Sequence, residues 1–258
     1  MQRSYNRQVH ELRPIRLVYN IFEYADGSTL FEIGKTRVVC AITLAPGVPH
    51  FLKGKQQGWL SASYSLLPAS TKSRIERDSV AKRNERSVEI SRLIGRVLRT
   101  IVKLPLIGER TIYVDCDVLQ ADGGTRTGCI TAAGAALRMA QDKWLKNGLI
   151  NEPILVDDVA AVSIGVVDET CLVDLDFAED SQADADFNFV FTKSGKILEV
   201  QGTAERTAIS WQAVEKMGTL AFNATQKLFD YCLAQPYKNQ SPMINNSVDR
   251  IDQHPAVL

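Results

Sequence analysis

A glycine-rich segment, GGTRT at 123–127, combines residue types that can bind an anion. Glycines let the backbone approach an anion closely, and free N–H groups at a helix start point toward it. Thr125 can donate a hydroxyl hydrogen bond, and Arg126 can bind two phosphate oxygens at once. A plain strand-to-helix turn with a surface arginine fits the segment equally well. Taken alone, GGTRT therefore leaves both interpretations open.

An acidic segment, DLDFAEDSQADAD at 174–186, is the second candidate for chemistry. Clustered carboxylates repel one another unless a cation or a basic partner lies between them. Oxygen ligands of this kind suit Mg²⁺ or Mn²⁺. A solvated acidic loop is the commoner origin of an isolated acidic run. The acids are Asp174, Asp176, Glu179, Asp180, Asp184 and Asp186, and strand alternation predicts that the first two share one side.

A basic segment completes the set, because Lys and Arg outnumber Asp and Glu between Lys72 and Arg99. The whole chain carries 30 basic and 30 acidic side chains, so a nucleic-acid surface requires such local segregation. The part KSRIER at 72–77, taken by itself, is most simply a solvated surface.

The histidines and cysteines argue against other kinds of site. The three histidines are His10, His50 and His254, near the termini or in a loop, and the five cysteines contain no C-x-x-C pair. This pattern disfavours a histidine base, a zinc site and a disulfide framework. An anion cradle, an acidic cluster and a basic strip together indicate phosphoryl chemistry, in which catalysis is mainly positioning and charge neutralisation. The residues by themselves do not specify phosphorolysis.

The elements that must position these segments can be predicted from periodicity and turn residues. A β-hairpin is expected over 28–44, with Gly34 and Lys35 at its turn, and a polar, prolyl tail over 239–258 is expected to be disordered. Residues 1–238 are expected to form a single α+β domain. Helices are predicted at 86–102, 127–146 and 210–234, and further strands at 60–66, 109–119, 159–167, 171–177, 188–192 and 197–201.

Length and composition fit a globular protein. The chain has 258 residues, of which 45% are hydrophobic, enough for a well-buried core. No apolar run approaches the roughly 20 residues of a membrane span, and the N-terminus lacks the apolar stretch of a secretory signal. We expect a cytoplasmic protein without membrane contact.

Five sequence blocks resemble those of the ribonuclease PH family in order and spacing, and the resemblance runs from residue 12 to about 228. It implies an α+β fold, a βαβ sandwich resembling the ribosomal protein S5 domain 2-like fold, and a homohexameric ring assembled as a trimer of dimers. The blocks are FLKGKQQGW at 51–59, RLIGRVLR at 92–99, VDCDVLQADGGTRT at 114–127, VAAVSIGVV at 159–167 and ILEVQGTAE at 197–205.

The resemblance also implies an activity. Family members are tRNA nucleotidyltransferases that use inorganic phosphate as co-substrate to trim the 3′ ends of tRNA precursors, releasing nucleoside diphosphates in a reversible reaction. The corresponding phosphate site would be Arg86, Gly124, Thr125 and Arg126. Asp180 and Asp186 would be catalytic and would hold Mg²⁺ or Mn²⁺, with Asp184 as a nearby third metal ligand. RNA would contact Lys72, Arg74 and Arg77.

Three departures from the family pattern qualify this prediction. Ala69 follows Leu67-Pro68 where an arginine is usual, Asn84-Glu85 stands where Gly-Gly is usual, and the C-terminal tail is longer. The sequence leaves open whether Ala69 and Glu85 weaken RNA or phosphate binding, and none of the three departures removes a residue assigned to the chemistry. Two other functions stay open. A catalytically inactive RNA-binding ring subunit of an exosome-like assembly would be expected to lose the cradle or the aspartates, and a hydrolytic metal nuclease would not need the arginines.

Overall fold

The computed structural model describes residues 3–79 and 84–234, and this part of the chain has an α+β fold, as predicted. Its strands are β1 (Ile15–Tyr19), β2 (Gly27–Ile33), β3 (Thr36–Pro46), β4 (Trp59–Leu66), β5 (Arg110–Gln120), β6 (Val159–Val167), β7 (Thr170–Val173), β8 (Ala185–Thr192) and β9 (Ile197–Ala204). Its α-helices are α1 (Glu85–Ile101), α2 (Thr125–Lys146), α3 (Phe177–Asp180) and α4 (Trp211–Ala234).

The first sheet has the strand order β1-β2-β3-β5-β4. The β2–β3 hairpin confirms the prediction, and Gly34 at its turn has a φ of 59°, a conformation that favours glycine. In β5 the side chains alternate, with Ile112 and Val114 buried while Tyr113 and Asp115 are exposed. The buried face of the sheet packs against α1, mainly at β4, and against α2, mainly at β2 and β3. The C-terminal end of β5, at Gln120, leads into the GGTRT segment at 123–127.

The second sheet has the order β7-β6-β8-β9. Every residue of β6 is buried, because both α2 and α4 pack against this strand. Helix α2 also packs against the first sheet. A continuous apolar run is typical of a strand covered on both faces. Helix α2 thus lies between the two sheets, and its first turn reaches their junction.

The acidic segment differs from its predicted secondary structure. Strand β7 ends at Val173 instead of continuing to 177, because Asp174 has a φ of 56°. Asp176 is the N-cap of α3 and forms a capping box. Its side chain accepts from the backbone N–H of Glu179, and the Glu179 side chain accepts from the backbone N–H of Asp176. Asp174 and Asp176 therefore do not share one side of a strand.

One strand and the start of another also differ from the prediction. Strand β1 was not predicted, and β8 begins at Ala185 rather than 188. The predicted disordered tail at 239–258 lies outside the described residues. Within the described part of the chain, no helix combines the length and apolar character needed to cross a bilayer.

Candidate active site

Six of the predicted site residues line one cleft at the junction of the two sheets. The cleft has a volume of about 470 Å³. On one side lie Arg86, Gly124, Thr125 and Arg126, and on the other lie Asp180 and Asp186. The remaining lining residues are Ser163, Ser181, Ala183, Asn188, Glu205 and Arg206. The fold thus brings the predicted anion cradle and the two carboxylates together from separate parts of the sequence.

The glycines of the cradle are required by their surroundings. Gly123 and Gly124 have φ values of 77° and 66°, which other residues rarely adopt. A Cβ at Gly123 would overlap the carbonyl oxygen of Leu175, on the segment that leads to α3. Gly124 is the N-cap of α2 and supplies no side-chain cap, so the first N–H groups of the helix are available to an anion.

Thr125 is held in place by a tyrosine that the sequence did not single out. The hydroxyls of Tyr64 and Thr125 share a hydrogen bond with 2.9 Å between their oxygens. Burial raises the pKa of Tyr64, so the phenol is neutral at physiological pH. Tyr64 therefore orients the Thr125 hydroxyl without adding a charge beside the cradle.

The two arginines of the cradle differ in how they are held. Arg126 donates from Nη1 to Oε1 of Gln201 at 2.9 Å and lies 3.0 Å from Oε2 of Glu89. Arg86 is exposed in the first turn of α1, where its backbone N–H is capped by the side chain of Asn84. Asn84, one of the departures from the family pattern, therefore stabilises the helix that carries Arg86.

Glu85, the neighbouring departure, does not enter the cleft. It lines a separate groove on α1 together with Glu89, Arg92 and Arg96. An acid in the first turn also interacts favourably with the helix dipole. Among the residues described, Glu85 therefore does not line the cleft that holds Arg86.

Asp180 and Asp186 are carboxylates in an environment that disfavours their charge. Loss of water raises the pKa of Asp186 to about 6, repulsion from Asp180 and Glu205 adds to this, and Arg126 and Arg86 oppose it. The pKa of Asp180 is also raised, first by loss of water and then by Glu205, against the attraction of Arg86. Oδ1 of Asp186 is buried and has no hydrogen-bond partner within residues 3–79 and 84–234. These two carboxylates are arranged to accept a positive charge.

The other acids of the segment have different roles, so the six do not form one cluster. Asp184 does not line the cleft. Its backbone N–H donates to the carbonyl oxygen of Val166 on β6, and its carbonyl oxygen accepts from the N–H groups of Glu205 and Arg206, which follow β9. Glu205, within the ILEVQGTAE block, is the third carboxylate facing Asp180 and Asp186. Across residues 3–79 and 84–234, no three His, Cys, Asp or Glu side chains are arranged as a metal site.

Asp174 and Glu179 are neutralised by buried arginines from the N-terminal segment. Arg13 Nη2 lies 2.7 Å from Oδ1 of Asp174, and its guanidinium also donates to the carbonyl oxygens of Asp122 and Gly123. Arg3 binds Glu179 at 2.7 Å. Arg13 therefore ties the loop before the cradle to the segment that leads to Asp180. Nothing in the local sequence pattern indicated these partners.

The predicted RNA-binding residues do not line the cleft. Lys72, Arg74 and Arg77 are exposed on the loop after β4. Nζ of Lys72 lies 5.4 Å from the ring centroid of Phe177, the first residue of α3. The basic loop therefore approaches the helix that carries Asp180, while Ala69 is exposed nearby.

Comparison with known proteins identifies the family. Residues 11–141 match the model of the 3′ exoribonuclease family, domain 1, and residues 157–224 match the model of domain 2 of the same family. The chain belongs to the 3′ exoribonuclease family. It is 47% identical to the ribonuclease PH of Syntrophomonas wolfei over 229 residues, which cover 88% of this chain and 96% of that protein. It is 46% identical to the ribonuclease PH of Neisseria meningitidis over 227 residues, or 88% and 94% of the two chains.

Solved structures share the fold of this 3′ exoribonuclease family chain. Rice Rrp46 superposes with a TM-score of 0.74 at 19% identity, covering 90% of this chain and 99% of that one. A chain of the Archaeoglobus fulgidus exosome with RNA bound to the active site superposes with a TM-score of 0.76 at 22% identity, covering 89% and 92%. The resemblance to ribonuclease PH and the fold class inferred from the sequence are confirmed.

The raised pKa of Asp186 predicts how stability of the metal-free chain depends on pH. Its pKa is about 6 in the folded chain against an ordinary value of 3.8, so between these values the folded chain binds a proton that the unfolded chain has released. The contribution of Asp186 to the free energy of unfolding therefore falls as pH rises from about 4 through 6. Asp186→Asn should remove that fall and raise the free energy of unfolding by about 3 kcal/mol over wild type at neutral pH, but by little near pH 4.

Urea denaturation in the presence of a chelator, at both pH values, measures this difference. A gain that is the same at both pH values would show that Asp186 does not titrate in this range.

Proposed function

We propose that the chain is a phosphate-dependent 3′-to-5′ exoribonuclease that releases nucleoside diphosphates from RNA 3′ ends. The observation that carries this proposal is one cleft in which an arginine-lined anion cradle faces two carboxylates, Asp180 and Asp186. A hydrolytic nuclease needs carboxylates and a cation but has no use for a second anion site. Relatives named ribonuclease PH at 46–47% identity support the same activity.

The residues of the cleft have different roles in the proposed reaction. Arg86, Arg126, the Thr125 hydroxyl and the N–H groups at the start of α2 hold inorganic phosphate. The last phosphodiester of the RNA lies toward Asp180 and Asp186, so that the phosphate attacks in line. Phosphate is already an oxyanion at neutral pH, and this agrees with the lack of histidine among the cleft-lining residues that the structure describes.

The carboxylate side of the cleft suits a divalent cation, Mg²⁺ or Mn²⁺. Asp186 offers a buried oxygen that has no hydrogen-bond partner among the residues the structure describes, and burial, followed by repulsion from Asp180, raises the pKa of this carboxyl. Mg²⁺ in proteins commonly uses one or two carboxylates and keeps several waters. Asp180 and Asp186 would hold the ion, whose chemistry is to offset the charge that develops on the leaving 3′ oxygen. Asp184, expected as a further ligand, does not line the cleft.

The substrate we propose is the 3′ end of tRNA precursors, bound by a homohexamer in the cytoplasm. The exposed basic loop with Lys72, Arg74 and Arg77 beside α3 supports an RNA path into the cleft. The solved relatives include chains of exosome assemblies, one of them with RNA bound to its active site. We propose a trimer of dimers because this is the ring that the sequence resemblance implies.

The experiment that tests the activity follows a 3′-tailed tRNA with Mg²⁺, with and without phosphate. We expect shortening only with phosphate, release of nucleoside diphosphates, and lengthening of the RNA when diphosphates are supplied instead. Monophosphates released at an equal rate without phosphate would identify a hydrolytic nuclease. No shortening in either condition, with RNA still bound, would identify an inactive ring subunit.

A further inference from the structure

Arg126 belongs to a closed ring of three side chains from three separate elements. Its Nη1 donates to Oε1 of Gln201 on β9, and its Nη2 lies 3.0 Å from Oε2 of Glu89 on α1. The ring closes because Nε2 of Gln201 donates to Oε1 of Glu89 at 2.9 Å. Each partner thus holds both Arg126 and the other partner.

We infer that Glu89 and Gln201 are positioning residues that fix the guanidinium of Arg126 for phosphate, an inference that rests on the proposed function. A guanidinium has five N–H donors in one plane; in the ring, Nη1 donates to Gln201 and Nη2 forms an ion pair with the Glu89 carboxylate. The remaining donors then have a fixed orientation before phosphate arrives. A side chain that is already ordered loses less conformational entropy on binding.

The charge of Glu89 makes this inference distinguishable from a simple electrostatic effect. A carboxylate 3.0 Å from Arg126 reduces the positive potential of the cradle, so by charge alone it weakens phosphate binding. If only charge mattered, removing Glu89 would lower the KM for phosphate. If Glu89 positions Arg126, removing its side chain raises that KM. The two accounts predict opposite signs.

Two substitutions at Glu89 separate position from charge. Glu89→Ala removes both, and we expect the KM for phosphate to rise about 5- to 20-fold, with a smaller change in kcat. Glu89→Gln removes the charge and keeps the contact with Arg126, because its amide oxygen can still accept from the guanidinium. Its NH₂ then faces Nε2 of Gln201, which is also a donor, so the direct link between positions 89 and 201 is lost while Gln201 still accepts from Arg126. The KM for phosphate should then stay within about twofold of the wild-type value or fall below it. Gln201→Ala should raise the KM as Glu89→Ala does.

The neighbouring ion pair provides a matched control. Arg96 on α1 binds Glu199 on β9 through two contacts of 2.6 and 3.0 Å. It joins the same two elements but does not contact Arg126. Glu199→Gln should therefore change the melting temperature about as much as Glu89→Ala and leave the KM for phosphate at the wild-type value.

Phosphate binding is also measured without RNA, from the rise in melting temperature as inorganic phosphate is added. Glu89→Ala should need a higher phosphate concentration for the same rise, and Glu89→Gln should not. An unchanged or lowered phosphate requirement in Glu89→Ala, or an equal increase in Glu199→Gln, would overturn the positioning role. If the wild-type protein itself shows neither phosphate binding nor phosphate-dependent trimming, the proposed function fails, and this outcome is distinct from failure of the ring alone.

Discussion

Replacing Arg126 with alanine should lower turnover at limiting phosphate roughly 30- to 1000-fold, the kinetic equivalent of a lost two-point phosphate contact. Arg126 lies in the first turn of α2 and lines the cleft with Thr125, so its free donors face the place where phosphate is proposed to bind. Because it contacts the attacking group, the loss should appear both as a higher KM for phosphate and as a lower kcat.

The fold should survive this change. Arg126 is partly exposed, and its partners Glu89 and Gln201 can be solvated when it is removed. Exposed ion pairs contribute at most about 1 kcal/mol, so the melting temperature should change little. Arg126→Lys is the matched control, because it keeps the charge and loses the planar fork; it should recover only part of the rate. Near-normal turnover of Arg126→Ala at limiting phosphate would disprove the cradle assignment.

The parts of the site that could be predicted from sequence are those with a local requirement. Gly123 and Gly124 adopt left-handed backbone that favours glycine, and they directly precede a helix, so GGTRT indicates an anion site from its own residues. Helix α1 and the alternation of β5 follow from periodicity in the same way. The local sequence could not decide between an anion site and a plain strand-to-helix turn for GGTRT. That choice depends on the cleft that GGTRT shares with Asp180 and Asp186.

The acidic segment shows why the remainder could not be predicted. Asp174 and Asp180 are the same residue type in one run, yet only Asp180 lines the cleft. Asp174 is neutralised by Arg13, 161 positions earlier in the chain. No local pattern distinguishes a carboxylate with a distant buried partner from one without. The end of β7 was missed for the same reason, since the backbone turns where Asp174 meets Arg13.

Glu205 and Tyr64 were missed because sheet pairing brings them to the cleft. Glu205 follows the end of β9, and β9 pairs with β8, which carries Asp186. Tyr64 lies on β4, which runs parallel to β5 and so places its hydroxyl at the start of α2. Both lie in or beside segments for which strands were predicted, but strand order and register were needed to place them.

Asp180→Asn and Asp186→Asn should each abolish most turnover while leaving the metal-free chain as stable as wild type or more stable. Each change keeps the size of the side chain and removes one charge. If the two carboxylates hold Mg²⁺, we expect turnover to fall about 10²- to 10⁴-fold, because less charge on the leaving oxygen is neutralised. Raising Mg²⁺ should recover part of the loss where cation affinity is the defect.

The stability result follows from the pKa values. Both carboxyl groups have raised pKa values, so at neutral pH their ionised forms are disfavoured in the folded chain. Repulsion acts mainly among Asp180, Asp186 and Glu205, not among the whole acidic run. Removing one of these charges relieves repulsion, and the melting temperature in the presence of a chelator should be unchanged or higher.

Asp174→Asn is the matched control, the same substitution in the same segment with the opposite expected effect on stability. Asp174 is buried and accepts from Arg13 at 2.7 Å through each of its two oxygens. Breaking a buried pair by removing one partner costs about 3–5 kcal/mol, so this variant should melt well below wild type. Unchanged activity in both cleft variants would mean a solvated acidic loop, and lowered melting temperatures would mean a structural role. Either result would favour the inactive RNA-binding ring subunit over the phosphorolytic enzyme.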